Sequence, residues 1–185
     1  MNKKSFLKIL AVVIFFISFV LVILIYNKTK ETNIIRYDDK IDEDANFINS
    51  NNSNNFNYSA NVIINGIKEN PGFISLQLII DISPKTDIVY KNLLVTAFMD
   101  NIMDFLVVKT YSYFGTDISD KQLLDGNSQS NKGLSIAKGT PLYEDVNIDM
   151  LTDQLKEGIK VKISWADSNE YVIITKENIN IDIRK

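Results

Sequence analysis

Between Lys8 and Asn27 the chain runs for eighteen residues, Ile9 to Tyr26, in which Ser18 is the only polar side chain. A helix of that length reaches about 27 Å at ~1.5 Å per residue, close to the ~30 Å hydrocarbon thickness of a bilayer. In lipid a lone segment has to satisfy its own backbone hydrogen bonds, so it can only be a helix. Its Val and Ile content lowers helix propensity in water, but transfer into lipid outweighs that cost. A helix packed in a globular core usually keeps a polar face, which this run lacks. A cleaved signal peptide has a shorter apolar core, roughly 7–15 residues, followed by a small-x-small cleavage pattern. Leu24-Ile25-Tyr26-Asn27-Lys28 carries no such pattern, and a chain without cysteine cannot take a lipid on a processed N-terminal Cys. The run is therefore expected to be an uncleaved transmembrane anchor.

Lys3, Lys4 and Lys8 precede the run, whereas Lys28 and Lys30 follow it with Glu31 close behind. The positive-inside rule then puts residues 1–8 in the cytoplasm, residues 9–27 across the membrane and the remainder outside the cytoplasm. Residues 28–57 are expected to be a disordered tether. They hold Asp38, Asp39, Asp42, Glu43 and Asp44, then Asn49-Ser50-Asn51-Asn52-Ser53-Asn54-Asn55. Such polar, repetitive sequence buries too little apolar area to offset its ordering entropy. As a coil of about thirty residues it would reach roughly 30 Å. The acidic group lacks the glycine and distal glutamate of an EF-hand loop.

Residues 58–185 suit one domain. They carry 13 Lys or Arg against 17 Asp or Glu, a net charge of −4. A domain of that sign repels phosphates, so neither nucleic acid nor an anionic lipid surface is an expected partner. The chain has no Cys and no His. That removes thiolate nucleophiles, Cys-based metal sites, the Ser-His-Asp arrangement and the usual near-neutral proton carrier. Ser135-Ile136-Ala137-Lys138 matches Ser-x-x-Lys, but in strand-like sequence the two side chains face opposite sides, and the partner motifs of the penicillin-binding signature are missing. Asp100, Asp104, Asp117, Asp120, Glu144 and Asp145 are candidates for a carboxylate pair of the kind that runs glycoside hydrolysis. Asp117, Asp120 and Asp125 form the densest loop set for Ca²⁺. None of these has a spacing that singles it out, so no catalytic, cofactor-binding or metal residue is assigned.

The domain reads as short apolar runs separated by turn residues. Val62 and Ile64 lead to Asn65-Gly66, and Asn70-Pro71-Gly72 is a turn signal. Ile74, Leu76, Leu78 and Ile80 alternate with partners up to Ser83-Pro84, the clearest strand in the chain. Leu93, Val95, Ala97 and Met99 fit a strand at period two, with a second strand over 104–114. Leu94, Phe98, Ile102 and Phe105 fit a helix over 88–108 equally well. Residues 117–132 read as a polar loop. Leu134 and Ile136 start a strand that Gly139-Thr140-Pro141 interrupts, and Leu142, Glu144, Val146 and Ile148 continue it. Residues 149–158 make a helical corner, capped by Asp149, with Leu151 and Leu155 inward and Gly158 as the stop. Ile159, Val161, Ile163 and Trp165 alternate, with Trp165 a core anchor. Asp167-Ser168-Asn169 is a hairpin loop, and Tyr171–Thr175 and Ile179–Ile183 finish the sheet.

Seven or eight short strands with one corner helix point to an all-β, immunoglobulin-like β-sandwich. The alternative is α+β, with 88–108 a helix on a sheet. This layout resembles the membrane-tethered immunoglobulin-like domains of Gram-positive bacterial envelopes. The resemblance implies a non-enzymatic extracytoplasmic domain that binds an envelope protein or a cell-wall component. Residues 117–132, Tyr111 and Tyr113 are candidate contacts. The competing expectations are a carboxylate-based envelope hydrolase and a structural or immunity-type envelope protein.

Overall fold

A computed structural model describes residues 45–66, 74–109, 112–116, 122–127, 133–166 and 168–184. All of them belong to the unit Arg36–Lys185. The run Ile9–Tyr26, the acidic residues Asp38 to Asp44 and Asn70-Pro71-Gly72 lie outside the described residues. Among the described residues no helix is long and apolar enough to cross a membrane.

The described residues form ten strands in two sheets. In the first, β2 (Phe56–Gly66), β3 (Ile74–Pro84) and β7 (Leu134–Leu142) are antiparallel neighbours, and β10 (Ile179–Arg184) lies parallel to β2. In the second, β1 (Ile48–Asn49) lies parallel to β9 (Ser168–Ile174), followed by β8 (Ile159–Trp165), β4 (Val89–Phe98) and β5 (Tyr113–Gly115). β6 (Gln122–Asp125) pairs with the opening stretch of β4. The helix α1 (Ile148–Glu157) stands between β7 and β8.

Alternation decides both sheets. Phe56, Tyr58, Ala60, Val62 and Ile64 of β2 are buried, as are Leu76, Leu78, Ile80 and Ile82 of β3. From the other sheet Leu93, Val95, Ala97, Ile159, Val161, Ile163, Val172 and Ile174 join them in one core. Burial of this period-two set is the main stabilising term, because a strand has no other way to hide one face. The molecule is all-β in two layers.

Several local expectations change. The α+β alternative is not what forms. Leu93, Val95 and Ala97 are each 0% exposed on one side of a strand, and this face wins over the helical stripe of Leu94 and Phe98. The second strand expected over 104–114 is also absent. Asp100–Phe105 is a 3-10 turn that buries Ile102, and among the described residues of that stretch Tyr113–Gly115 alone is a strand. The turn lets the chain meet β7, where Val107 N donates to Pro141 O at 3.1 Å and Tyr143 N donates to Phe105 O at 3.2 Å. β7 passes straight through Gly139-Thr140-Pro141, which pair with Gln77, Leu76 and Ser75. It is an outer strand of its sheet, where a proline is tolerated. It stops at Leu142, so Glu144, Val146 and Ile148 do not extend it. The polar stretch 117–132 contains β6. Trp165 pairs with Ser168, so the hairpin is tighter than expected, and Ala166 takes a φ of 46° to turn it. β10 crosses to the sheet opposite β9.

Part of the stretch expected to be tether is folded. Ile48 and Asn49 pair with Val172 and Ile173, and Phe56 is 0% exposed. The asparagines of 49–55 fold through their own side chains. Asn49 Oδ1 accepts from Asn51 N at 2.8 Å, and Ser53 Oγ accepts from Asn55 N and Phe56 N. Asn178 Nδ2 donates to Asn51 Oδ1 at 2.7 Å and ties the segment to the far end of the sequence. The side-chain bonds within 49–56 supplement the apolar burial that Phe56 supplies.

The cap of α1 is Asn147, whose Oδ1 accepts from Met150 N at 3.1 Å, two positions ahead of the expected Asp149. Leu151 and Leu155 are buried as their spacing predicts. Gly158 ends the helix at a φ of +124°, where an added Cβ would lie 2.4 Å from Ile173 Cγ2. The terminal carbonyls are taken up by Asn101, whose Nδ2 donates to Gln154 O at 2.9 Å and Gly158 O at 3.2 Å. Asn101→Ala is expected to cost about 1 kcal/mol by stranding two helix-end carbonyls. A urea midpoint unchanged by that substitution would show the cap to be idle.

Candidate functional site

The chemistry-bearing candidates are scattered. Asp100 Oδ2 lies 3.5 Å from Lys160 Nζ, and Asp104 Oδ1 lies 3.3 Å from Lys109 Nζ. Glu144 and Asp145 sit exposed in the turn before α1. Asp117, Asp120 and Tyr111 lie outside the described residues. Asp125 spends a carboxylate oxygen on Asn127 N at 2.9 Å. Asp100 and Glu157 both line a shallow cavity of about 210 Å³ beside Lys160. Both are exposed, and neither has the apolar enclosure that a general acid uses. Among the described residues no group of three or more acidic side chains is placed to hold a metal ion. Ser135 and Lys138 are three apart on β7 and therefore on opposite faces. Tyr113 is half-buried on β5.

Trp165 anchors one end of the core. Its ring is 5.3 Å from Phe56 and 5.7 Å from Tyr90, both edge-on, while Phe56 lies 4.4 Å from Tyr90. Beside this aromatic block the two sheets are tied by Glu170. Its Oε1 accepts from the Tyr58 hydroxyl at 2.8 Å and its Oε2 accepts from Asn55 Nδ2 at 2.7 Å. Burial first, and then the Glu170 charge and hydrogen bond, push the Tyr58 hydroxyl well above the ordinary tyrosine range. The Tyr58 proton therefore stays in place, and the cluster holds the sheets together.

The outward face of the β10-β2-β3-β7 sheet is different. A row of polar side chains crosses all four strands. Asn180 Nδ2 donates to Asn61 Oδ1 at 3.4 Å, and Asn61 Nδ2 donates to Asp81 Oδ2 at 3.2 Å. From the other side the Ser135 hydroxyl donates to Asp81 Oδ1. Ser59 and Ser135 are the direct strand neighbours of Asp81, and Asn57 is the neighbour of Ser83. A groove of about 260 Å³ lies over the Asp81 part of this row, where Asn57, Ser59, Ser83 and Ser135 share the lining with Tyr58, Ile82 and Leu134. The outward positions of β2, β3 and β7 hold no Lys or Arg. Sequence reading passed over Asp81 because a lone strand carboxylate is unremarkable. The available signal was the run of Asn and Ser at the outward positions of two otherwise strong strands.

No protein-family model, no curated protein and no solved structure matches this chain.

Proposed function

We propose that the chain is a single-pass membrane protein of a bacterial cell envelope. In this reading Ile9–Tyr26 is the anchor, and the β domain lies outside the cytoplasm and binds an envelope protein or wall component without chemistry. The observation that carries the reading is the apolar run with its lysine-rich leading flank. The immunoglobulin-like assignment is supported by connectivity. In this reading β2, β3 and β7 correspond to strands A, B and E, and β4, β8 and β9 to C, F and G, with β5 and β6 beside C, a correspondence that the sheet order favours. β10, parallel to β2, is an addition to that plan. A face of pre-ordered polar side chains supports binding as the activity. The competing reading, a carboxylate-based hydrolase, has the shared cavity of Asp100 and Glu157 in its favour and the exposure of both against it. Nucleic acid is not a proposed partner, given the acidic balance of the domain.

External protease on intact cells tests the topology. The domain is expected to be degraded while a cytoplasmic marker survives. Protection that persists after the wall is stripped overturns it.

A further inference from the structure

We infer that the groove at Asp81 is a site for a neutral, polyhydroxylated chain, that is, a glycan; this deepens the binding reading given above and rests on it. Asn and Asp are among the poorest strand formers. Together with Ser they nonetheless fill outward positions of β2 and β3, where Thr or Val would cost nothing in the core. What they provide is a fixed set of hydrogen-bonding groups on a flat surface. A carboxylate offers about four acceptor directions. Asn61 and Ser135 occupy one on each oxygen of Asp81, which holds the group still and leaves acceptors for two adjacent hydroxyl donors. The flanking Ser59 and Ser83 hydroxyls can donate or accept, which suits the mixed demands of sugar hydroxyls.

Charge and shape narrow the ligand class. With Asp81 in the groove and no cation on the outward positions of β2, β3 and β7, phosphate-, sulfate- and uronate-bearing polymers are repelled. The groove lies open along the sheet, so it fits a stretch of an extended chain better than an enclosed small molecule. The Arg184 guanidinium on β10 is taken by Asp182, with Nε 2.7 Å from Oδ2, and does not change the sign.

The test uses the full chain in detergent micelles. It is co-sedimented with cell-wall sacculi stripped of their anionic polymers, with soluble chitotetraose as competitor. Wild type is expected to sediment and to be released by the competitor. Asp81→Asn is expected to weaken binding about tenfold or more, the loss of hydrogen bonds to a charged acceptor. Ser135→Ala is expected to weaken it less, and Asp153→Asn, remote on α1, to leave it unchanged. Thermal unfolding of each variant separates a lost site from a lost fold. Wild-type binding by a folded Asp81→Asn chain overturns the assignment. So does a wild-type chain that neither sediments nor meets the sugar. In that last case a crosslink to an envelope protein on cells would preserve the binding reading while this inference falls.

Discussion

A chain carrying Phe56→Ala is expected to lose about 3–5 kcal/mol of unfolding free energy. The ring is fully buried and touches Tyr90, Trp165 and Tyr58, with centroids 4.4, 5.3 and 6.2 Å away. Because Phe56 comes from one sheet and Trp165 and Tyr90 from the other, its loss opens a void between the layers. Aromatic pairs also carry roughly 0.5–1.5 kcal/mol beyond their buried area. Against a typical total of about 5–15 kcal/mol, that leaves a marginal domain. Urea unfolding followed by Trp165, the sole tryptophan, reads the cluster directly. A midpoint shift worth less than about 1 kcal/mol is below the range of buried Phe deletions and would falsify this packing. The same residue decides where the domain begins. A chain shortened to start at residue 58 lacks Phe56 and the paired Ile48 and Asn49. It is expected to unfold at lower urea than one starting at residue 45. Equal midpoints would show that residues 45–57 add nothing to the fold.

What could be read in advance follows from how local each signal is. β3, β8 and α1 announce themselves, because their alternation or i,i+4 spacing is complete within a few residues. The boundary at 48–57 was hidden by composition. Asn and Ser look like linker, and what shows that they are folded comes from more than a hundred residues away: the pairing of Asn49 with Ile173, the bond from Asn55 to Glu170 and the bond from Asn178. The 3-10 turn at Asp100–Phe105 was hidden because its apolar residues satisfy both a helix and a strand pattern. Contact with β7 settles it, and contact across forty residues has no local trace. β6 went unseen because its buried Leu124 is one residue in a polar stretch. The Asp81 row was the least legible feature, since it exists only once four strands are set in register. Periodicity reports faces, whereas a site on a sheet is made by neighbours.

Tyr58 gives the second large effect, at high pH. Its hydroxyl is raised above the ordinary tyrosine range, by burial first and by Glu170 second. A raised group contributes stability that is fully present below its unfolded value, near pH 10, and is lost as the pH climbs toward the folded value. Above pH 10 the unfolded chain releases this proton and the native one keeps it. Stability should therefore fall by about 1.4 kcal/mol per pH unit from this one group, or ~3 kcal/mol over two units. Other tyrosines and lysines titrate in the same window, so the measurement is the difference between wild type and Tyr58→Phe in urea midpoints taken across it. At neutral pH Tyr58→Phe is expected to be the less stable chain by about 1–3 kcal/mol, because Glu170 loses a donor in a partly buried place. Above pH 10 the gap should close, since the phenylalanine chain no longer bears the alkaline loss. A gap constant with pH would mean that Tyr58 ionises freely and is not enclosed as described. Glu170→Gln then divides the two causes. It removes the charge and leaves the burial, so the alkaline fall should persist with its far end moved to lower pH. Complete disappearance of the fall in that variant would make the Glu170 charge, rather than desolvation between the sheets, the dominant cause.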